Sequence, residues 1–224
     1  MKKGTMVVVT LIMIMTLVSA ICFAEEKSEE NSVSSTIAVW NETYSPSKGE
    51  NKNFQRMFGF FNYKPLGIGG AIEVRINEKN NYTELKPYLT FNRGSWYFLG
   101  GYSTDTEGLR FIQTGAWYIN KFGDWNLTLD MRTYISVDGK KNDYTENLFR
   151  ISHPIAGKLF GGLDLVYDHW WSESSRNFYM IRPFIGYKIT KTLSVVSRYS
   201  REWDMGGEIN KRADRLRLEL CFSF

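Results

Sequence analysis

Three features of the sequence argue for an all-β chain closed as a transmembrane antiparallel up-and-down β-barrel. They are an export signal, an apolar–polar alternation of period two, and connections that alternate in length. The alternation is the primary signal, because a strand turns successive side chains to opposite faces. Charges on one face and long aliphatics on the other suit either a soluble β-sandwich or a barrel in lipid. Aromatics near the ends of the runs, with short turns on one side and longer wet loops on the other, favour the barrel. The sandwich stands as the competing fold.

The amino terminus comes first. Lys2 and Lys3 precede an apolar run from Met6 to Phe23, and Glu25, Glu26 and Lys27 end it abruptly. A short basic start, an apolar middle and a small residue before a polar stretch make a secretory signal peptide, predicted over residues 1–24 with the cut after Ala24 and Ala20 as second choice. A retained anchor is the alternative, since about 18 apolar residues just span a bilayer. Ile21 fits poorly as the residue before a lipidated Cys22. Residues 25–35 carry no apolar period and read as a mobile periplasmic tail, leaving 36–224 for the barrel.

Composition narrows the class. The 224 residues carry 28 Lys plus Arg against 24 Asp plus Glu, a formal charge of +4 that gives no case for nucleic acid. Loss of residues 1–24 removes Lys2 and Lys3, lowers the charge to +2 and leaves Cys221 as the one thiol, so an intrachain disulfide is excluded. No metal-ligand pattern or cofactor motif is present, and none is expected.

Alternation then predicts runs at 36–44, 54–63, 67–77, 82–92, 95–104, 108–120, 124–137, 144–152, 158–170, 177–188, 192–203 and 213–224. That makes twelve strands, with ten as the alternative because the second, fifth and sixth runs are apolar on both faces. In the seventh, Trp125, Leu127, Leu129, Met131 and Ile135 oppose Asn126, Thr128, Asp130, Arg132 and Tyr134. The fourth sets Leu85, Pro87, Leu89 and Phe91 against Glu84, Lys86, Tyr88 and Thr90, and the tenth sets Ile181, Pro183 and Ile185 against Arg182, Phe184 and Gly186. An even count brings both ends to the short-turn side. Trp40, Tyr44, Tyr63, Trp96, Tyr102, Trp117, Trp125, Trp170, Trp171 and Trp203 read as interfacial girdles.

The chain's ending, in which Leu216, Leu218, Leu220, Phe222 and the terminal Phe224 alternate with polar residues, resembles the assembly signal of bacterial outer-membrane β-barrels. Leu218, Leu220, Phe222 and Phe224 carry the match. The resemblance implies the bacterial outer membrane as location, its lipid as surroundings, and the barrel-assembly machinery as a partner. A second resemblance lies in the segment from Thr190 to Trp203, which is similar to a strand of the oligogalacturonate-specific porin family. Those are small twelve-stranded channels for acidic sugars, with basic side chains along a narrow pore. This resemblance implies a porin-like channel for passive diffusion of small polar solutes, anions or acidic sugars among them.

Eight strands make a filled barrel and sixteen leave an aqueous channel, so twelve suggests a narrow lumen. Strand phase places Arg75, Lys86, Asp130, Arg132, Arg150, Arg182, Arg198, Arg215 and Arg217 inward as candidate pore-lining residues, with Arg56 and Arg110 beside them. Glu42, Glu73, Glu84, Glu146, Asp164, Asp168, Glu202 and Glu219 share that face. The plain reading is cross-strand pairing that keeps the interior polar. A sharper one notes that Lys86-Pro87 and Arg182-Pro183 recur on runs six apart, opposite walls of a twelve-stranded ring. The two cations then form a constriction favouring anions, and each Pro, unable to donate to the ladder, predicts a bulge or kink.

Two other function classes compete. A structural or adhesive barrel would carry its function on the loops, which are short here. An outer-membrane lipid hydrolase would need a His-based site; His169, next to Asp168 with Ser172, Ser174 and Ser175 following, is the candidate, whereas His153 falls in a short turn. No serine-esterase elbow supports hydrolysis, and the chain is not expected to be an enzyme.

Overall fold

A computed structural model describes residues 33–77, 79–139, 142–172, 176–205 and 210–224. The predicted signal peptide, and the tail as far as residue 32, lie outside these. Twelve strands follow one another: β1 (Val33–Pro46), β2 (Lys52–Tyr63), β3 (Ile68–Asn77), β4 (Tyr82–Arg93), β5 (Trp96–Asp105), β6 (Arg110–Phe122), β7 (Trp125–Ser136), β8 (Tyr144–Ala156), β9 (Leu159–Trp170), β10 (Phe178–Lys188), β11 (Leu193–Asp204) and β12 (Asn210–Ser223). β1 begins at Val33, so the last three residues of the expected tail belong to the sheet.

Each strand pairs antiparallel with its neighbours in sequence, and β12 closes the ring on β1. Closure runs from Thr36 opposite Ser223 to Pro46 opposite Ala213. Phe224 extends it, its amide donating to Ser35 O at 2.9 Å while Ser35 N donates to Phe224 O at 3.1 Å. Every strand edge is therefore paired, which a sheet in lipid requires because no water is there to satisfy a free edge. The fold is a twelve-stranded transmembrane up-and-down barrel; neither ten strands nor a sandwich describes it.

Both chain ends of the barrel lie with the turns at 64–67, 94–95, 123–124, 157–158 and 189–192, and the longer connections occupy the other rim. The first two loops are tied by Lys79 and Glu50 at 2.5 Å. The Lys79 ammonium, hydrogen-bonded to Glu50, holds that carboxyl below its ordinary value. The turn expected over 153–158 is shorter than the sequence suggests: β8 continues to Ala156, and His153 packs its ring against Trp125 at 4.5 Å between centroids.

The phases follow the alternation. Leu89, Phe91, Ile185, Leu216 and Leu218 are exposed on the outer surface, whereas Lys86, Tyr88, Thr90, Phe184 and Glu219 are buried inside. The prolines interrupt the sheet without the bulge that is one of the two expected forms. Beside Pro87 and Pro183 the ladder to the next strand is interrupted but its register is unchanged on either side, so neither is a bulge. Each keeps its other neighbour, opposite Ile72 and Leu163 respectively, which leaves no need for an extra residue. Register shifts occur instead at Pro154/Ala156 and at Glu202/Trp203.

Candidate functional site

The candidate site is the barrel interior, built from alternate residues of all twelve strands. Three side-chain clusters fill much of it. In the first, Glu42 of β1 accepts from Arg56 of β2 at 3.1 Å and Arg215 of β12 at 2.9 Å. Arg215 also contacts Glu202 of β11, which is fully buried. Arg75 of β3 stands over the Phe54 ring at 3.9 Å.

The second cluster crosses the interior. Arg132 of β7 forms a two-pronged pair with Asp130 at 2.9 and 2.6 Å and donates to Tyr88 Oη of β4 at 3.0 Å. It also approaches Glu73 of β3 and Glu146 of β8, each at 3.7 Å. Strands β3 and β7 are four steps apart in the ring, so this guanidinium is a strut through the lumen. Beside it lies an aromatic group: Phe58 and Phe60 of β2 and Tyr88 of β4 meet Trp117 of β6 edge-on, with centroids 6.0–6.3 Å apart. A Cβ on Gly101 of β5 would lie 2.2 Å from Pro87 O and 3.1 Å from both Cα and the ring of Tyr88, so the glycine allows the β4 backbone to approach closely beside that inward tyrosine.

The third cluster belongs to the β8–β12 wall. Asp164 of β9, fully buried, receives Arg150 of β8 at 2.7 and 3.1 Å, Arg182 of β10 at 2.8 Å and Arg198 of β11 at 3.3 Å. Arg198 continues to Glu219 of β12 at 3.0 Å, and Arg217 reaches the same carboxylate at 2.8 Å. Four guanidiniums thus share two carboxylates. The Cys221 thiol donates to Glu219 as well, at 3.0 Å. Arg150, Arg182 and Arg217 line a cavity of about 420 Å³ whose remaining wall includes Phe58, Phe60 and Trp117.

The structure places Arg75, Lys86, Asp130, Arg132, Arg150, Arg182, Arg198, Arg215 and Arg217 on the inner face, with Arg56. Arg110 departs from the expectation: inward positions of β6 are odd-numbered, and Arg110 lies half-exposed at the loop rim beside Asp138 at 3.6 Å. Lys86 and Arg182 do stand on opposite strands of the ring. Each is paired with an acid, Lys86 with Glu84 at 3.3 Å and Arg182 with Asp164 at 2.8 Å. The aromatic girdle also divides. Tyr63, Trp96, Tyr102, Trp125 and Trp171 are exposed, whereas Trp40 and Trp117 are buried in the interior and Tyr44 lies under Arg215. Parity was the signal for them: Trp40 and Tyr44 share the phase of Glu42, and Trp117 that of Gln113.

His169 and Asp168 are consecutive on β9 and so face opposite sides of the sheet. The His169 Nδ1 contacts Tyr167 Oη at 3.3 Å and accepts from Asn177 Nδ2 at 3.1 Å. Ser174 and Ser175 lie outside the described residues. Among the described residues no group of His, Cys, Asp and Glu side chains has the arrangement to hold a metal ion.

No protein-family model matches this chain, and no curated protein matches it. Solved structures do. The KdgM porin in complex with disordered oligogalacturonate shares 14% identity over 84% of this chain and 99% of that one, with a TM-score of 0.61. The NanC porin shares 11% over 83% and 98%, at 0.62. A bacterial polysaccharide outer membrane secretin shares 7% over 88% and 100%, at 0.52. Identities this low establish a common fold, and a fold hosts many functions.

Proposed function

We propose that the chain is a bacterial outer-membrane channel for passive diffusion of small polar solutes, with a preference for anions. One observation carries the reading: four guanidiniums share two carboxylates on the β8–β12 wall, and three of them line a cavity inside an apolar-coated barrel. Five arginines line that cavity against four carboxylates, and an excess of inward positive charge lowers the energy of an anion in a narrow, poorly solvated passage. Two solved porins of this fold, one of them recorded with oligogalacturonate, support the channel class and make acidic sugars the first solutes to try. The nine inner residues predicted to line the pore keep that role in the proposal, with Arg150, Arg182 and Arg217 placed at the passage.

Planar-bilayer recording tests it. The purified chain is expected to conduct, with a reversal potential in a salt gradient of anion-selective sign. Arg150→Ala combined with Arg217→Ala is expected to move that potential toward zero. Cation selectivity in the unaltered chain would overturn the anion preference. A second reading, a structural barrel without transport, draws support from the Arg132 strut and the Trp117 cluster across the lumen. Absence of conductance from well-folded protein would establish it.

A further inference from the structure

The two rims of the barrel differ in charge. Each of the five short hairpins carries an exposed cation: Lys64, Arg93, Lys121, Lys158, and the pair Lys188 and Lys191. Against these six, the described residues of that rim offer the acidic side chain of Asp124. None of the six pairs with a carboxylate among the described residues; Lys158 Nζ donates instead to Ile189 O at 3.0 Å. The loop rim mixes both signs and pairs them, as where Asp214 takes Arg201 at 3.0 Å and Lys211 at 2.6 Å.

The same short hairpins expose large apolar groups. Leu66, Trp96, Phe122, Trp125, Ile155 and Tyr187 all stand open at this end. An apolar ring at the acyl boundary with cations just beyond it matches the depth profile of a phospholipid leaflet, with acyl chains inside and phosphates outside. We propose that the short-turn rim is a basic collar that binds anionic phospholipid headgroups, phosphatidylglycerol in particular, in the leaflet facing the periplasm. Distribution around the circumference is what selects lipid over a soluble acidic partner. Lys121 and Lys188 take the lumen phase of β6 and β10. Lys64, Lys158 and Lys191 in the turns and Arg93 on the outer phase still give four of the five hairpins a collar cation, whereas a docked protein would be met by cations gathered on one arc. Basic groups near an anionic surface attract it within a Debye length, so the attraction should weaken with salt.

The inference needs the transmembrane barrel but not the channel, since a non-conducting barrel would carry the collar equally. The full chain is refolded into vesicles with equal phosphatidylglycerol and phosphatidylcholine, extracted gently, and its retained lipids are counted by native mass spectrometry. The expected result is phosphatidylglycerol retained over phosphatidylcholine by about fivefold or more. High salt, where the screening length falls to about 3 Å, should abolish the preference in unaltered protein without any change to the fold. Replacing Lys64 and Arg93 with Gln, or Lys158 and Lys191 with Gln, should each reduce it. Arg201→Gln with Lys211→Gln, on the loop rim, should not. Equal retention of the two lipids overturns the proposal. So does a preference that appears only after removal of the acidic segment containing Glu25, Glu26, Glu29 and Glu30, which would make that segment the collar's occupant. Collar variants that shift ion selectivity while lipid retention stays unchanged would assign the cations to the pore, and also overturn it.

Discussion

Asp164 carries more of the interior than any other single carboxylate described above. It is fully buried and accepts from three arginines on three strands. Removing one partner of a buried charged network costs about 3–5 kcal/mol, because the remaining charges are left without compensation. Asp164→Ala is therefore expected to lower the unfolding free energy by that order, read by urea titration of the barrel in detergent or lipid. Asp164→Glu, which keeps the charge, should recover part of the loss. A neutral outcome for Asp164→Ala would mean that water compensates the arginines. Legibility at this scale was high for direction and low for partners. Parity alone put Asp164 and Arg182 inside, but it says nothing of which acid meets which base. Arg110 shows the limit, because a short strand end allows either phase and the sequence around it is apolar on both sides.

At the scale of strands, the alternation gave the ring almost completely, since one face must meet lipid and the other must not, and a slip of one residue would exchange them. The irregularities were less legible because they depend on both neighbours of a strand. Pro87 and Pro183 were expected to bulge or kink; each interrupts one ladder and leaves the other in register, so neither is a bulge. Pro154, in a segment read as a turn, sits beside a true register shift. Close approach of backbones is similarly invisible to periodicity. A Cβ on Gly115 of β6 would fall 2.1 Å from Met131 O and 3.0 Å from Arg132 Cα on β7. Neither atom belongs to a movable side-chain tip, so Gly115→Ala must part the two strands. The expected cost is about 1–3 kcal/mol, in the range of overpacking, with faster hydrogen exchange along the β6–β7 ladder as its local signature. Exchange that rises equally around the ring would contradict a local effect.

For the whole molecule, what sequence could not supply is the traffic across the lumen. Contacts between strands four apart have no local pattern, so Trp117 read as an interfacial ring and Arg132 as one of many inward cations. In the barrel they divide the interior: aromatic packing ties β2, β4 and β6, and Arg132 ties β7 to β3 and β4. The cavity beside them is lined by Glu73, Asp130, Arg132 and Glu146 as well as by Arg150, Arg182 and Arg217, so the passage proposed here runs between the strut and the arginine-rich wall. Arg132 then has two effects that a single substitution separates. Its side chain obstructs the lumen, and its charge offsets Asp130, Glu73 and Glu146. Arg132→Ala should widen the passage while leaving three carboxylates facing it, so conductance is expected to rise as selectivity moves toward cations. Arg132→Lys keeps the charge on a slimmer head and should raise conductance with little change in selectivity. Single-channel recordings of both variants in a salt gradient distinguish these outcomes. If neither variant alters conductance, ions do not pass the strut, and the route must lie entirely along the β8–β12 wall.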